Sequence, residues 1–483
     1  MRSLLVTSEY YPLIKTGGLA DVCGALPPAL AAQGVDARVL LPGYPAVLDA
    51  VRHTVTVAPL PDLFGGQGRL LRGRAPDDTV LYLVDAPHLF ARGGGPYLDP
   101  AGQDWPDNHL RFAALSWVGA HLPAGNDGWQ PQIVHAHDWQ AGLAPLYLRS
   151  RPDRRPRSVV TIHNLAFQGL YPSWRMNELR LSPEHFTADG FEFHGQIGFL
   201  KAGLVFADRI TTVSPTYARE IMSAEAGAGL DGLLRHRSAV VSGILNGLDT
   251  TVWDPAKDTA LPAAYAANDL SGKATCKSVL QRRMRLGEAR NRPLFGVVSR
   301  LTQQKGLDLL ASLVPAIVRA GGQLALLGTG EPGLEATFRQ AAEDHAGHVG
   351  VLIGYDEQLA HLILGGADAL IVPSRFEPCG LTQLQALRYG TLPVVSRVGG
   401  LADTVIDANT AALADGAATG FVFAPSTAAA LADAIGRALA LFSEPDRWRS
   451  IQRRAMSRDV GWTRPAQAYR ALYQDLLQAD STA

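Results

Sequence analysis

Short apolar segments alternate with helical patterns along most of this chain. The segments are rich in valine, leucine and isoleucine throughout, without regular alternation with polar residues, and each ends at a turn. Such segments are typical of strands that are buried on both faces of a parallel sheet. They occupy residues 2–9, 37–44, 79–87, 132–139, 158–164, 209–215 and 239–247 in the first half, and residues 293–300, 323–330, 348–355, 368–375, 391–397 and 420–425 in the second.

Helical patterns between successive strands imply βαβ units, so the sequence predicts an α/β fold with two doubly wound, Rossmann-like domains. The break between them falls near residues 247–290, which lack strand signals. We therefore expect a first domain over residues 1–248, a second over 249–460 and a terminal helical segment over 461–483. In that segment Ala468, Leu472 and Leu476 repeat every four positions along one side.

The charge balance excludes several classes of partner. The chain has 44 Lys and Arg residues against 45 Asp and Glu residues, which predicts no general attraction to nucleic acid or to an anionic membrane. No apolar run approaches the roughly 18 residues that a membrane-spanning helix needs, and the N-terminus lacks the features of a targeting segment. Three cysteines, Cys23, Cys276 and Cys379, are too few for a disulfide framework. We expect a soluble, cytoplasmic protein.

Polar side chains lie at or just beyond the ends of the predicted strands. In open α/β sheets ligands bind outside the carboxyl ends of the strands, and two sheets that face each other would bring both sets of residues to one cleft. That arrangement would suit an enzyme with two substrates. The residues concerned are Glu9, His137, Asp138, His163, Asn164, Asn246, Arg300, Tyr355 and Glu377.

The first motif is KTGGLADV (15–22), which follows the first strand. Adjacent glycines allow close approach of the backbone to a ligand, and the N–H groups that open the next helix favour an anion. Lys15 is one of only six lysines in an arginine-rich chain, which favours a specific use of its ammonium group. The alternative is a plain glycine turn with a solvated lysine. The motif is neither a dinucleotide fingerprint nor a Walker A loop.

The second motif, SRLTQQKGLDLL (299–310), follows the first strand of the second predicted domain. Arg300 and Lys305 are separated by a short loop and could hold one diphosphate from two directions, the arginine as a bidentate fork and the lysine as a point charge. The alternative is a pair of surface cations with little effect.

The third motif, SRFEPCGLTQLQALRYGTLPVV (374–395), is the most specific stretch in the chain. Glu377 could accept hydrogen bonds from sugar hydroxyls, and the N–H groups of Gly380, Leu381 and Thr382 could hold a phosphate. Alternatively, Glu377 only complements the dipole of a helix. We interpret Cys379 as a small buried residue rather than a nucleophile.

The fourth group joins HAHDWQAG (135–142) to TIHNLAFQG (161–169). His135 and His137 share one face of a strand, so a metal site is conceivable, but no third ligand completes a recognised spacing. We expect no metal here. Asp138 has the alternative interpretation of a helix N-cap.

Together these motifs resemble the family of bacterial glycogen synthases and plant starch synthases, which are retaining glycosyltransferases that extend α-1,4-glucan from ADP-glucose. The matching stretches run in the expected order from residue 8 to about residue 405 and cover nearly the whole chain. They are SEYYPLIKTGGLADV, HAHDW, TIHNLAFQG, KAGLVFADRITTVSPTYA, GILNGLD, SRLTQQKG, IGYDE, PSRFEPCGLTQL and PVVSRVGGLADTV.

The resemblance implies a GT-B fold with a deep cleft, whose last helix crosses back to the first domain. It implies that Lys15 contacts the donor, that His163 lies against the transferred glucose, and that Glu377 holds the glucose hydroxyls. Arg300 and Lys305 would neutralise the leaving diphosphate. The resemblance also implies substrate contacts at Gly17, Gly18, Asp21, Tyr97, Asp138, Asn164, Asn246, Gly354, Tyr355 (near the adenine), Cys379, Gly380, Leu381 and Thr382.

The implied reaction transfers glucose from ADP-glucose to the non-reducing end of an α-1,4-glucan with retention, releases ADP and needs neither metal nor cofactor. One departure concerns the wider superfamily, which often has a second glutamate eight positions after the first. Here that position is Gln385. An amide could still bind a ribose hydroxyl.

Three alternatives are open. A related glucosyltransferase could use UDP-glucose or another acceptor. A glucan phosphorylase would need pyridoxal phosphate on a lysine, and the six lysines include no obvious buried candidate. An inactive glucan- or nucleotide-binding protein is disfavoured by the intact set Lys15, His163, Arg300, Lys305 and Glu377.

Overall fold

The computed structural model describes residues 1–125, 128–151 and 155–478. The chain forms two compact units. Unit 1 comprises Met1–Gly247 and the segment that begins at Trp462, and unit 2 comprises Leu248–Gly461. Among the described residues, no helix is both long enough and apolar enough to cross a membrane.

Unit 1 is built on a largely parallel sheet. Its strands are β1 (Arg2–Val6), β2 (Asp36–Pro42), β3 (Arg52–Leu60), β4 (Gly68–Arg74), β5 (Val80–Asp85), β6 (Ile133–His137), β7 (Arg157–Ile162), β8 (Leu170–Pro172), β9 (Glu192–Phe193), β10 (Gln196–Gly198), β11 (Arg209–Thr212) and β12 (Val241–Gly243). Nine described strands form the main sheet in the order β12-β11-β7-β6-β1-β2-β5-β4-β3, in which only β4 runs antiparallel to its neighbours. Strands β8, β10 and β9 form a small antiparallel sheet.

Helices connect the strands of unit 1. They are α1 (Gly18–Ala31), α2 (Pro45–Ala50), α3 (Pro87–Phe90), α4 (Asn108–Ala120), α5 (Ala144–Arg149), α6 (Phe199–Phe206), α7 (Pro215–Glu220) and α8 (Asp231–His236). Short 3₁₀ turns span Trp139–Ala141, Ser173–Arg175, Pro183–His185 and Ser238–Val240.

Unit 2 is a parallel α/β domain. Its helices are α9 (Ser271–Arg283), α10 (Leu307–Ala311), α11 (Val314–Arg319), α12 (Pro332–Asp344), α13 (Glu357–Gly366), α14 (Thr382–Arg388), α15 (Gly399–Thr404), α16 (Thr410–Ala414), α17 (Ala428–Phe442) and α18 (Pro445–Met456). Its strands are β13 (Leu294–Val298), β14 (Gln323–Gly328), β15 (Val349–Ile353), β16 (Ala369–Val372), β17 (Leu392–Ser396) and β18 (Phe421–Phe423). They pair in parallel in the order β15-β14-β13-β16-β17-β18.

The predicted α/β class with two mainly parallel sheets is confirmed, and every predicted apolar segment contains a strand. The hairpin formed by β3 and β4 was not predicted. Strand β3 is mostly exposed and lies at the sheet edge, so its sequence mixes polar with apolar residues and gives no continuous apolar run. The small sheet of β8, β9 and β10 was missed because its strands have at most three residues.

The strand order marks where ligands can bind. In unit 1, β1 lies between β6 and β2, and in unit 2, β13 lies between β16 and β14. The chain therefore reverses its direction of sheet growth beside β1 and beside β13, and such switch points open a crevice at the carboxyl ends of the strands. The loops after β1, β6 and β7, and those after β13 and β16, hold the motifs found in the sequence.

The last helix, α19 (Thr463–Gln478), belongs to unit 1. Its buried residues include Tyr469, Tyr473 and Leu476, whereas Ala468 is exposed, so the buried face does not follow the repeat of Ala468, Leu472 and Leu476 seen in the sequence. Aromatic side chains bury more apolar area than alanine does, and they turn the buried stripe to their own side of the helix.

Candidate active site

Glu9, just after β1, shapes the glycine loop. Its buried carboxylate accepts hydrogen bonds from the main-chain N–H groups of Thr16 (2.5 Å) and Gly17 (3.2 Å) and from the hydroxyl groups of Thr16 (2.6 Å) and Tyr97 (2.5 Å). Burial raises the pKa of Tyr97 well above its usual value, so this phenol remains a donor. Sequence reasoning noted Glu9 at a strand end but assigned it no role. A further signal was its place six residues before the glycine motif.

The glycine loop presents one cation and one carboxylate. Gly17 is the N-cap of α1, Gly18 is its first residue, and Asp21 lies in its first turn. Lys15 Nζ lies 2.7 Å from Asp21 Oδ1, and the two side chains are 41% and 28% exposed. Partly exposed pairs of this kind hold weakly, so the ammonium group can exchange its partner for an anion. A Cβ on Gly17 would meet no atom within 4 Å, so the loop is open at this point.

Asp138 ties the loop after β6 to the loop after β7. Its Oδ1 accepts hydrogen bonds from the main-chain N–H groups of His163 (2.6 Å) and Asn164 (3.4 Å). Burial raises the pKa of Asp138 to about 7, although the hydrogen bonds from the N–H groups of His163 and Asn164 lower it. Asp138 does lie at the N-cap position of the 3₁₀ turn that follows, but its carboxylate makes no capping bond to that turn. Asp138 fixes the backbone that carries His163.

Three histidines meet beneath this loop. His137 Nδ1 and His163 Nε2 lie 2.9 Å apart and share a hydrogen bond. His135 is bonded at Nδ1 to Tyr473 Oη (2.7 Å) and at Nε2 to Thr161 Oγ1 (2.6 Å). Both ring nitrogens of His135 are therefore occupied by protein groups. Within residues 1–125, 128–151 and 155–478, no three His, Cys, Asp or Glu side chains are grouped to hold a metal ion.

Asn164 and Asn246, two other predicted contacts of unit 1, have different surroundings. Asn164 Oδ1 accepts the main-chain N–H of Ala166 (3.0 Å) and so shapes the turn after His163. Asn246 follows the edge strand β12 and is 8% exposed. Its Oδ1 is buried and has no hydrogen-bond partner in the described part of the chain.

In unit 2 the loops after β13 and β16 are joined by an ion pair. Lys305 Nζ lies 2.5 Å from Glu377 Oε2, and Ser374 Oγ donates to the same oxygen at 3.0 Å. The side chains of Lys305 and Glu377 are only 19% and 10% exposed. Helix α14 begins at Thr382, and the carboxylate is held by Lys305 instead, so the interpretation of Glu377 as only a helix-dipole partner does not hold.

Arg300 differs from Lys305. Its side chain is exposed and has no hydrogen bond or ion pair with any described residue. Tyr355 follows β15 and is 81% exposed, and Gly354 before it has a φ of 144°. Arg300, the Lys305–Glu377 pair and the exposed ring of Tyr355 thus lie in loops that follow strands of unit 2.

The loop at residues 377–380 is packed closely against the start of α15. Gly399 has a φ of 42°, and a Cβ there would lie 1.9 Å from the main-chain oxygen of Glu377. Cys379 is 4% exposed, which agrees with its interpretation as a small buried residue. The N–H groups of Gly380 and Leu381 precede α14, and Gln385 is half-buried on that helix.

The expectation that no lysine is buried is wrong. Lys273 and Lys277 are each 6% exposed, and burial lowers the pKa of Lys273 to about 7. Lys273 Nζ donates to the main-chain oxygens of Gly365 (3.0 Å) and Tyr389 (3.1 Å) and to Thr391 Oγ1 (2.6 Å). These hydrogen bonds use all three N–H groups of an ammonium. Lys273 therefore has a structural role, as a hydrogen-bond donor to main-chain and side-chain oxygens in the core of unit 2. The sequence gave no sign that Lys273 is buried, because most residues of α9 are polar.

Two family models match the chain. Residues 2–236 match the model described as the starch synthase catalytic domain, and residues 281–455 match that described as glycosyl transferases group 1.

Similar proteins cover the chain from end to end. A glycogen synthase of Roseobacter denitrificans is 56% identical over 99% of this chain and 100% of its own length. A glycogen synthase of Rhodopseudomonas palustris is 55% identical over 98% of each chain. The catalytic domain of starch synthase IV from Arabidopsis thaliana, solved with ADP and acarbose, superimposes with a TM-score of 0.88 at 31% identity and covers 99% of both chains. A sucrose-phosphate synthase from Thermosynechococcus elongatus shares the fold, with a TM-score of 0.60 at 18% identity over 99% of both chains.

Proposed function

Because the chain belongs to the family of glycogen synthases and starch synthases, we propose that it uses ADP-glucose as its donor and extends an α-1,4-glucan such as glycogen. The family makes it a glycosyltransferase with a nucleotide-sugar donor and a glucan acceptor. The observation that carries the proposal is the Lys305–Glu377 pair, which puts a cation and a carboxylate together at the carboxyl ends of β13 and β16.

In unit 2 these groups suit a diphosphate and a sugar. Lys305 and Arg300 neutralise the leaving diphosphate, and Glu377 accepts hydrogen bonds from the glucose hydroxyls. The exposed side chain of Arg300 supports this role, because it has no protein partner to give up among the described residues. The N–H groups of Cys379, Gly380, Leu381 and Thr382 contribute further donors to sugar and phosphate.

In unit 1 the donor sugar and phosphate meet Lys15 and the loop at Gly17 and Gly18, with Asp21 on the nucleotide side. His163 lies against the transferred glucose, and Asp138 holds its backbone. Tyr97 and Asn164 shape the loops on either side, as their hydrogen bonds indicate. The buried, unpartnered oxygen of Asn246 supports a substrate contact, since a ligand hydroxyl could satisfy it.

These groups fit the charge changes of glucosyl transfer. The transition state resembles an oxocarbenium ion while negative charge builds on the leaving ADP. Fixed donors aimed at that charge contribute on the order of 10²–10³ in rate each. Retention of configuration follows if the acceptor 4-hydroxyl attacks from the face of the leaving group. Its proton then passes to the departing phosphate oxygen while the bond from the anomeric carbon to that oxygen breaks and the new glycosidic bond forms.

The proposed preference for an adenine nucleotide rests on one similar structure and on two residues of unit 2. The Arabidopsis starch synthase was solved with ADP, which supports an adenine nucleotide here. Tyr355 offers an exposed ring for the base beside Gly354, and Gln385 offers an amide where the wider superfamily has a carboxylate. We place the enzyme in the cytoplasm, a location supported by three cysteines that form no disulfide.

The deciding experiment follows labelled glucose from ADP-glucose, and separately from UDP-glucose, into glycogen with EDTA present. We expect incorporation from ADP-glucose that survives the chelator. Faster incorporation from UDP-glucose would support the related glucosyltransferase instead. No incorporation from either donor would overturn the proposal and favour the inactive binding protein.

A further inference from the structure

A row of three histidine rings runs from the core of unit 1 to His163. His135 and His137 lie two residues apart on β6, both are 0% exposed, and their rings stack with centroids 4.2 Å apart. The ring of His163 follows, with its centroid 5.2 Å from that of His137. Burial lowers the pKa of His135 and His163 to about 3 and that of His137 well below its usual value. All three rings are neutral near pH 7, so each carries one donor and one acceptor nitrogen.

The far end of the row is anchored. Tyr473 Oη and Thr161 Oγ1 take up both nitrogens of His135, and Thr161 Oγ1 shares a further hydrogen bond with Thr211 Oγ1 (2.6 Å). The His135 ring cannot rotate without breaking two buried hydrogen bonds. Because it stacks on His137, it restricts that ring as well.

The surroundings of His137 indicate which ring donates the hydrogen bond between His137 and His163. Its Nδ1 is bonded to His163 Nε2, whereas its Nε2 is fully buried and has no hydrogen-bond partner among the described residues. If His163 donated from Nε2, the proton of His137 would lie on this enclosed Nε2. A buried N–H without a partner costs about 1–3 kcal/mol and is rare in proteins. If His137 donates from Nδ1, its Nε2 carries only a lone pair. A buried acceptor without a hydrogen-bond partner is less rare than a buried N–H without one.

We propose that His137 is a positioning residue that donates from Nδ1 to His163 and so holds His163 as its Nδ1–H tautomer. Tyr473 of α19 fixes the row from its far end through His135. His163 is half-buried, and its Nδ1 has no partner within the described ranges and is not among the enclosed unpartnered atoms. The tautomer therefore turns an N–H donor toward solvent, where it can meet an oxygen of the substrate. This role rests on the proposed function.

The first test measures the tautomer directly and needs no substrate. Two-bond ¹H–¹⁵N correlation on ¹⁵N-histidine-labelled full-length protein distinguishes protonated from bare ring nitrogens, and the His163 signals are those lost in His163→Gln. We expect His163 to be protonated at Nδ1 in the wild-type protein. Protonation at Nε2 would overturn the proposal, whatever the enzyme's activity.

The second test uses variants at His137. His137→Leu removes the donor, so we expect mixed tautomers at His163 and a fall in kcat of about tenfold or more with the KM for ADP-glucose little changed. His137→Asn places an amide N–H near the position of Nδ1, so it should restore most of kcat and the wild-type tautomer. A folded Leu variant with wild-type kcat, or an Asn variant no better than Leu, would contradict the role.

The third test separates the anchor from general damage to α19. Tyr473→Phe removes the hydroxyl that binds His135, and Tyr469→Phe removes a hydroxyl from the same helix while leaving that bond intact. We expect kcat to fall about threefold or more only in Tyr473→Phe, the smaller effect reflecting its greater distance from the substrate. Equal effects would remove Tyr473 from the row. Failure of the wild-type protein to transfer glucose would refute the proposed function and leave the tautomer result standing.

Discussion

At the scale of single residues, the Lys305–Glu377 pair shows why a motif alone does not describe a site. The two residues are 72 positions apart in the chain, and their loops meet because β13 and β16 are neighbours in the sheet. The paired carboxylate is fixed within hydrogen-bond distance of a cation and of the Ser374 hydroxyl. In the proposed function, the substrate would meet groups that are already in place, which is the condition for strong electrostatic catalysis.

Removing either member of that pair is expected to slow glucose transfer severely. Lys305→Ala and Glu377→Gln should each lower kcat at least ~100-fold while the protein remains folded, because each deletes a group aimed at the transition state. The measurement is kcat with ADP-glucose and glycogen, with circular dichroism as the check on folding. Near-normal kcat in both folded variants would remove these residues from the mechanism.

Cys379→Ala is the matched control in the same loop. Cys379 is 4% exposed and only its main-chain N–H is assigned a role, so replacing its thiol side chain by a slightly smaller one should leave substantial activity. Inactivation without loss of the fold would show that its thiol takes part in the reaction.

At the scale of an element, β6 is a buried strand that carries two histidines among apolar residues. Both are buried because the sheet continues with β7 on one side and β1 on the other. A buried neutral histidine is depressed in pKa and resists protonation. The strand is thus stable only while its histidines stay neutral.

Acid is therefore expected to destabilise unit 1 through His135. Its folded-state pKa of about 3 lies below the ordinary value of 6.5, so the stability it contributes is complete above pH 6.5 and is lost as the pH falls toward 3. Between pH 7.5 and 5.0 this one group should remove roughly 2 kcal/mol from the free energy of unfolding. Urea unfolding at the two pH values measures the loss, and His135→Gln should lose correspondingly less than the wild-type protein.

Asp138 has the opposite effect on the pH dependence of stability, so the wild-type protein has to be compared with His135→Gln. Its folded-state pKa of about 7 lies above the ordinary value of 3.8, so its cost to stability grows as the pH rises through this window and is relieved on acidification. Both proteins contain Asp138, so the difference between them isolates His135. An identical pH dependence in the two proteins would show that His135 does not stay neutral in the fold.

At the scale of the whole molecule, the last described helix, α19, packs in unit 1, whose other described helices and strands all precede unit 2 in the sequence. Helix α19 follows all of unit 2 in sequence but packs in unit 1, where Tyr469 and Tyr473 are fully buried and the helix contacts α1. The core of unit 1 is therefore complete only when α19 is in place. The stability of unit 1 depends on residues more than 200 positions away from the rest of it.

Tyr469→Ala tests this dependence. Loss of a fully buried aromatic side chain should lower the free energy of unfolding of unit 1 by about 3–5 kcal/mol. Hydrogen exchange resolved along the full-length chain should show lower protection in β1, β6 and β7 and little change in β13 to β17. Equal loss of protection in both units would mean that they unfold together and that α19 does not belong to unit 1 alone.

The α/β class, the buried parallel strands of the two large sheets and the motif residues were determined by the sequence itself. Strands buried on both faces need continuous apolar runs, and glycines and charged residues at their ends stand out against such runs, so local pattern suffices. The edge hairpin of β3 and β4 lacks that pattern and was missed.

Only the tertiary structure decided which groups meet: Glu9 with the glycine loop, Lys305 with Glu377, Lys273 with core carbonyls, and Tyr473 with His135. Except for the contact of Glu9, which spans only eight positions, each of these contacts joins a side chain to a distant segment of the chain. Their partners depend on strand order and on the direction in which each helix turns its buried face, and neither quantity is encoded in a short stretch of residues. Burial is likewise a property of the assembled core, which is why Lys273 and the histidine row could be recognised only in the folded protein.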